Sequence, residues 1–262
     1  MQVDFGRTSS DYAKHRAGFP EAFFERLVRE GLLRPGVRAV DLGTGTGTVA
    51  RGLARHGGTV KALDVSAPML EAARRLATEA GLRIDFQQAP AETTGLPSGA
   101  FDLVVAGQCW HWFDRPAAAR EAARLLAPGG RLVIAHFDWL PLPGNVVEAT
   151  EALIDTFNPG TAAPYVLLGQ SVGLYPLWFR DLGEAGYTAL ESFTFDVPTP
   201  YTHEAWRGRI RASAKVGASL PPEEVARLDA ALAALLAERF PREPLVIPHR
   251  VFALMATPPL PA

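Results

Sequence analysis

Apolar and polar positions along the first 130 residues repeat one rhythm: a short β-rich run, a turn, then a run with helical spacing. Residues 20–30 place Phe23, Phe24, Leu27 and Val28 on one helical face, and Gly31 stops the helix. Residues 37–42 predict a buried strand, followed by a glycine turn and a helix over 46–55. The next strand is expected over 59–64. Ser66 can cap the helix after it, Pro68 fits its first turn and Gly81 ends it. Strands are predicted over 84–88, 101–106 and 131–137, with a helix over 116–127 that stops at Pro128-Gly129-Gly130. Strands alternating with helices of about 10–15 residues predict a parallel sheet covered on both faces.

After Phe137 the rhythm breaks. Residues 138–186 are rich in proline and aromatics, with helices expected over 146–156 and 174–182. A strand over 187–197 alternates Leu190, Phe193 and Phe195 with polar neighbours. Helices fit 202–216 and 221–240, and 249–256 makes a last strand with Pro248 just before it, where a missing N–H is tolerated. The expected organisation is one domain over 1–262. It has an N-terminal lid and helix (1–35), a core (36–137), a cap (138–186 and 201–218) and two closing strands (187–197 and 249–256).

Composition narrows the class. The chain has 262 residues, 48% apolar and 21% charged, with a net charge of −2. That is ordinary for a globular protein and leaves no global attraction to nucleic acid or acidic lipid. The 23 arginines and 3 lysines are scattered. The one cysteine, Cys109, cannot form an internal disulfide. No run approaches the roughly 18–20 apolar residues of a membrane span, and the first 16 residues lack the apolar core of a signal peptide. A cytoplasmic α/β protein is expected, monomer or homodimer, with no nucleic-acid or membrane partner. The histidines show neither H-x-x-x-H spacing nor cysteine companions, so no metal is expected.

The candidate chemistry begins at Asp41-Leu42-Gly43-Thr44-Gly45-Thr46-Gly47, between the first strand and its helix. Glycines there let the chain turn sharply and let a ligand approach the backbone, near a helix N-terminus with free N–H groups. A dinucleotide turn would need a third glycine where Thr48 stands, and no Lys-Ser/Thr follows as in a P-loop. Asp64 ends the second strand, where an acidic side chain would face two vicinal ribose hydroxyls. A tight structural turn and a surface aspartate are the plain alternatives.

These segments, with Phe101-Asp102-Leu103-Val104-Val105 and Pro128-Gly129-Gly130 before Leu132-Val133-Ile134, resemble the class I S-adenosylmethionine-dependent methyltransferases. Tyr12-Ala-Lys-His-Arg16-Ala-Gly-Phe19-Pro20 and Gln108-Cys-Trp-His111-Trp112-Phe113-Asp114 resemble the small-molecule branch that includes the trans-aconitate methyltransferases. The resemblance covers about residues 8–137 and implies a Rossmann-like, mostly parallel seven-stranded α/β sheet. Its order would be 3-2-1-4-5-7-6, strand 7 antiparallel, with helices on both faces and a helical cap. It implies that Gly43 and Gly45 lie against the methionine and ribose of S-adenosylmethionine, Asp64 on the ribose hydroxyls and Met69 near the adenine. Ala91-Glu92 would meet the adenine edge, although Pro90 stands where an acidic residue is often found. Tyr12 and Arg16 would close over the methionine end, Arg16 facing its carboxylate, although Ala17 replaces the usual proline. Asp41, Thr44, Val65 and the Gln108 carbonyl complete the cofactor-binding set.

Methyl transfer is an in-line displacement, so the site mainly aligns the reactants and excludes water. Trp110, Trp112 and Phe113 past the fourth strand, with Trp139 and Trp178, are the candidate substrate pocket; core packing is their other reading. His111 is the candidate catalytic base, or else a packed, hydrogen-bonded histidine. The Asn/Asp-Pro-Pro-Tyr/Phe run of enzymes that methylate exocyclic or side-chain amines is absent after strand four. Arg207, Arg211 and Lys215 recur every four residues, as a solvated face or a carboxylate-binding strip. The function expected is methyl transfer to a small molecule. The alternatives are an NAD-dependent oxidoreductase and a non-catalytic protein that keeps the fold and cofactor.

Overall fold

The computed structural model describes residues 18–159 and 173–259. Helix α1 (Glu21–Arg29) buries Phe23, Phe24 and Leu27 of the predicted face, whereas Val28, at its edge, is exposed. The chain then alternates β1 (Arg38–Leu42), α2 (Thr48–Arg55), β2 (Thr59–Asp64), α3 (Ala67–Glu79), β3 (Asp85–Gln88), β4 (Phe101–Gly107), α4 (Arg115–Leu125) and β5 (Leu126–Trp139). It continues through α5 (Val146–Phe157), α6 (Pro176–Glu184), β6 (Thr188–Tyr201), α7 (His203–Arg211), α8 (Pro222–Arg239) and β7 (Leu245–Thr257). The described strands form one seven-stranded sheet in the order β3-β2-β1-β4-β5-β7-β6, mostly parallel with one antiparallel strand, as expected.

Register fixes where a site can form. Leu42 at the end of β1 pairs with Leu63 of β2 on one side and Ala106 of β4 on the other. The loops after β1, β2 and β4 therefore leave the sheet side by side at its carboxyl edge, the usual ligand edge of such sheets. β1 is buried from Ala39 to Leu42, as befits a central parallel strand covered on both faces. Side-chain caps set the helix starts: Ser66 Oγ accepts from the Met69 N–H at 3.5 Å, and Asp114 from the Ala117 N–H at 3.1 Å.

Three boundaries depart from the expected ones. Pro128-Gly129-Gly130 lies inside β5, where the register jumps from Phe101↔Leu126 to Leu103↔Arg131 as a bulge, with Gly129 at φ 81°. β7 starts at Leu245, because burial alternates through Leu245, Ile247 and His249 and carries the strand across Pro248, whose carbonyl accepts the Leu140 N–H. The helix expected over 202–216 ends at Arg211. The turn bonds Ser213 N–H to Ile210 and Ala218 N–H to Ser213 replace its ladder.

The described residues form two compact units. One holds residues 18–137, 174–195 and 251–259; the other holds 138–159, 173 and 196–250. The second has its own core, in which Leu228, Leu232 and Leu236 of α8 pack with Val147, Ile154, Trp206 and Ile210.

Candidate functional site

The chain leaves β1 through Gly43, Gly45 and Gly47, at φ 62°, 55° and 78°. L side chains pay a steric penalty there and glycine does not. Gly43 and Gly45 differ in what surrounds them. A Cβ on Gly43 would lie 2.8 Å from Cys109 Cβ and 3.0 Å from Phe113 Cζ, so the loop after β4 packs onto this glycine. Protein packing therefore requires glycine at position 43, apart from any ligand that meets its backbone. A Cβ on Gly45 would meet nothing within 4 Å among the described residues. Gly45 is where bare backbone faces open space.

Two aspartates brace this turn from opposite sides. Asp41 is buried, accepts from the Thr44 hydroxyl at 2.5 Å and from the Ala50 N–H at 3.1 Å, and so ties the turn to α2. Burial pushes its carboxyl up to about 7 against those two hydrogen bonds. Thr44 thus points inward and supports the turn from beneath. Asp64 Oδ2 accepts the Gly45 N–H at 2.8 Å and its Oδ1 accepts the Ser66 N–H at 2.9 Å. Burial also raises Asp64, opposed by these backbone donors. Each carboxylate oxygen keeps a lone pair for a further donor. Val65 beside it is 64% exposed, an apolar surface next to a half-buried carboxylate.

The segment after β3 is pinned from behind. Thr94 donates its N–H and hydroxyl to Glu121 Oε1 at 2.9 and 2.5 Å, and Arg124 bridges both Glu121 oxygens at 2.7 Å. The Arg124 guanidinium holds Glu121 down to about 2. Ala91 is buried within this segment. Glu92 accepts the Asp114 N–H at 2.9 Å, so one of its oxygens serves the start of α4. Met69 is 3% exposed on the inner face of α3, a core position.

Past β4 the chain enters a left-handed residue that is not glycine: Gln108, at φ 59°. Its N–H bonds the Ala135 carbonyl at 2.8 Å and its side chain the Phe137 carbonyl at 2.8 Å. Holding a side-chain residue there costs of order 1–3 kcal/mol, a strain that clusters at functional sites. A 3₁₀ turn, Trp110–Trp112, follows. Trp110 is fully buried, its indole N–H pointing at Asp181 at 3.4 Å. Trp178 is also buried, Phe113 is half-buried, and Trp112 is 47% exposed. Of the expected pocket aromatics, Trp110 and Trp178 therefore serve the core. Trp139 belongs to the other unit, where it donates to Glu151 at 2.9 Å beneath the Arg209 guanidinium.

His111 has partners that the sequence did not suggest. Its Nδ1 lies 3.2 Å from Nε2 of His136 on β5, whose Nδ1 lies 2.9 Å from the Tyr175 hydroxyl. His136 is 2% exposed, and Tyr175 stacks on Trp178 with centroids 4.0 Å apart. Only Tyr175 carried a signal, as one of several aromatics in a Pro-rich stretch.

Arg207 and Arg211 both pair with Asp229, Arg211 also with Glu204 at 2.8 Å, and Lys215 with Glu151 at 2.7 Å. The carboxylate-binding strip is replaced by internal ion pairs, and Lys215 lies beyond the end of α7. Tyr12 and Arg16, with the rest of the expected lid segment, lie outside the described residues. Among the described residues no cluster of histidine, cysteine, aspartate or glutamate could hold a metal.

Residues 40–134 match the family model described as a methyltransferase domain. Methyltransferase GfsG of Streptomyces halstedii is 32% identical over 194 residues, 68% of this chain and 67% of that protein. The chain belongs to the class I S-adenosylmethionine-dependent methyltransferases. Demethylmenaquinone methyltransferase of Thermus thermophilus is 41% identical over 115 residues, 43% of this chain and 52% of that protein. The match thus spans about half the length of that relative. A phosphoethanolamine N-methyltransferase 2 of Haemonchus contortus, solved with S-adenosylhomocysteine, shares the fold. Its TM-score is 0.56 at 18% identity, over 98% of this chain and 61% of that one. Family membership sets aside the NAD-dependent alternative. The glycine turn, Asp64, Ala91, Gln108 and His111 all fall within residues 40–134.

Proposed function

We propose that this protein transfers a methyl group from S-adenosylmethionine to a small-molecule acceptor. The reading is carried by the Gly45–Asp64 pair: left-handed backbone with no described residue within 4 Å of where a Cβ would lie, braced at 2.8 Å by a carboxylate with acceptor capacity to spare. Asp64 suits the two ribose hydroxyls. Val65 and the Ala91 N–H suit the adenine, and the left-handed Gln108 offers its carbonyl towards the cofactor's amino group. Asp41 and Thr44 hold the turn in shape; Met69 and Glu92 shape it from the core and the helix cap. By resemblance, Tyr12 and Arg16 serve the methionine end. The bound cofactor supplies an electrophilic methyl on a sulfonium.

His111 is the candidate base, accepting a proton from a hydroxyl or an acidic carbon of the acceptor. Trp112 and Phe113 beside it offer apolar surface to that acceptor. A small molecule is favoured by the scattered basic residues at net charge −2 and by the similarity to the Thermus relative, a demethylmenaquinone methyltransferase. No helix among the described residues is long and apolar enough to cross a membrane. The lone cysteine, buried against the Leu42 carbonyl, suits a cytoplasmic site.

Calorimetric titration with S-adenosylhomocysteine tests the cofactor, and methyl release from labelled S-adenosylmethionine against a panel of phenols, quinones and carboxylic acids tests transfer. Absence of binding by folded protein overturns the reading. Binding without turnover of any acceptor favours the non-catalytic alternative.

A further inference from the structure

We infer that Arg51 is a positioning residue for the cofactor: together with Asp64 it fixes the Gly45–Thr46 peptide, the part of the glycine turn left to meet the ligand. The inference rests on reading the Gly45–Asp64 pair as the cofactor's seat.

The backbone of the turn is bonded on both sides of that peptide. The Thr44 N–H bonds the Leu63 carbonyl of β2, and the Gly47 N–H bonds the Thr44 carbonyl, both at 2.8 Å. The Gly45 N–H goes to Asp64 Oδ2 at 2.8 Å. The Thr46 carbonyl accepts from Arg51 Nη1 at 2.5 Å. Between these last two ties, the Gly45 carbonyl and the Thr46 N–H bond no described residue, although Thr46 is only 3% exposed. Backbone groups at such burial are nearly always paired, so an unpaired peptide here points to a ligand. Asp64 grips the peptide before it and Arg51 the peptide after it, an anion on an N–H and a cation on a carbonyl.

Arg51 stands where local preferences disfavour it. It lies near the start of α2, where the positive end of the helix dipole repels a cation. It is half-buried, and no carboxylate among the described residues forms an ion pair with it. Burial pulls it below the usual guanidinium range, helped by the charge of Arg55 and opposed by those of Asp41 and Glu79. Side chains of a helix lean towards its N-terminus, and that direction brings Nη1 back to the Thr46 carbonyl. A Cβ on Gly47 would lie 3.2 Å from both Arg51 Nη1 and Ala73 Cβ, and 3.6 Å from Phe86 Cε1. Glycine at 47 thus leaves room for the guanidinium, which α3 and β3 wall in. Apolar packing of similar volume is often at least as stable as a buried charge. An apolar side chain, however, could not bond the Thr46 carbonyl. A residue kept against its local preferences marks a functional position.

The test compares Arg51→Met and Arg51→Lys with wild type. In cofactor-free protein, hydrogen exchange of the Gly45 amide, read by NMR, should speed up about tenfold or more in Arg51→Met, with the amides of β2 unchanged. Calorimetric titration with S-adenosylhomocysteine should show affinity per folded molecule falling about tenfold or more in Arg51→Met, because the turn is no longer pre-organised. Arg51→Lys keeps a charged donor for a single hydrogen bond and should return to within about threefold of wild type. A merely structural arginine would change the urea midpoint of Arg51→Met and leave both readouts unmoved. If Arg51→Met does not fold, Arg51→Gln, whose amide stays polar but is too short for the carbonyl, is read in the same way. Gly45 exchange or cofactor affinity within about twofold of wild type in the folded variant overturns the inference. If wild type binds no S-adenosylhomocysteine, the cofactor reading falls and takes the inference with it. If wild type binds and Arg51→Met binds equally well, only the role of Arg51 is lost.

Discussion

At the scale of single residues, adjacent glycines carry different burdens. Gly43→Ala adds a Cβ 2.8 Å from that of Cys109 as well as left-handed strain, so it should destabilise the fold. Gly45→Ala adds only the strain, about 1–2 kcal/mol, and otherwise projects a methyl into open space. Denaturant midpoints should fall further for Gly43→Ala, whereas titration with S-adenosylhomocysteine should show the greater loss per folded molecule for Gly45→Ala; the reverse order would move the ligand to the other glycine. Asp64→Ala should lower cofactor affinity by about 1.5–3 kcal/mol through two lost charge-assisted hydrogen bonds. Asp64→Asn, which keeps an acceptor for Gly45 or Ser66, should lose less. Unchanged calorimetric affinity in folded Asp64→Ala would remove the ribose assignment. Residue-scale legibility in the sequence followed chain distance. Asp41, the glycines and Asp64 announce themselves through spacing near two strand ends. His136 meets His111 across 25 residues and Tyr175 meets His136 across 39, in contacts made by tertiary packing, and no local periodicity records them.

At the scale of elements, patterning located the strands and helices because each buries one face or both, but it placed ends less well. The bulge at Gly129 and the strand running through Pro248 both break a local rule that tertiary pairing overrides. Two buried carboxylates that tie elements together give opposite dependences on pH. Asp41 joins β1 to α2 and is raised to about 7 from 3.8, so the folded state binds its proton more tightly than the unfolded chain does. Its contribution is full below about pH 4 and is lost as pH rises through about 7. Glu121 joins α4 to the segment carrying Ala91 and is lowered to about 2 from 4.5. Its contribution is present above about pH 4.5 and is lost as pH falls through about 2. Unfolding in urea across this range should therefore show a flatter dependence between about pH 4 and 7 for Asp41→Asn than for wild type. Equal slopes would mean that Asp41 is not held protonated. Glu121→Ala strands the Thr94 N–H and hydroxyl without their acceptor and should cost about 1–3 kcal/mol at neutral pH. A change below 0.5 kcal/mol, roughly the scatter of surface substitutions, would show that water replaces the carboxylate there.

At the scale of the whole molecule, the sheet order was legible because the resemblance supplied a topology, and the alternating run to Phe137 with two late strands fitted it. The grouping into two units was not, since residues 174–195 return to the first unit after residues 138–159 have left it. Such returns depend on long-range burial and not on local pattern. The unit containing residues 18–137 holds the glycine turn, Asp64 and the His111 group together. Any ligand that binds this folded unit and not the unfolded chain must raise its stability by mass action. At one hundred times the dissociation constant the gain is about 2.7 kcal/mol. For a chain of this size that should raise the midpoint of thermal unfolding by about 5–10 °C. S-adenosylhomocysteine should produce this shift in wild type and, at the same concentration, a much smaller one in Asp64→Ala. NAD should produce none in either. His111→Gln should keep the wild-type shift, because His111 is read as meeting the acceptor and not the cofactor. Loss of the shift in folded His111→Gln would instead place that histidine in the cofactor site and end its reading as the base.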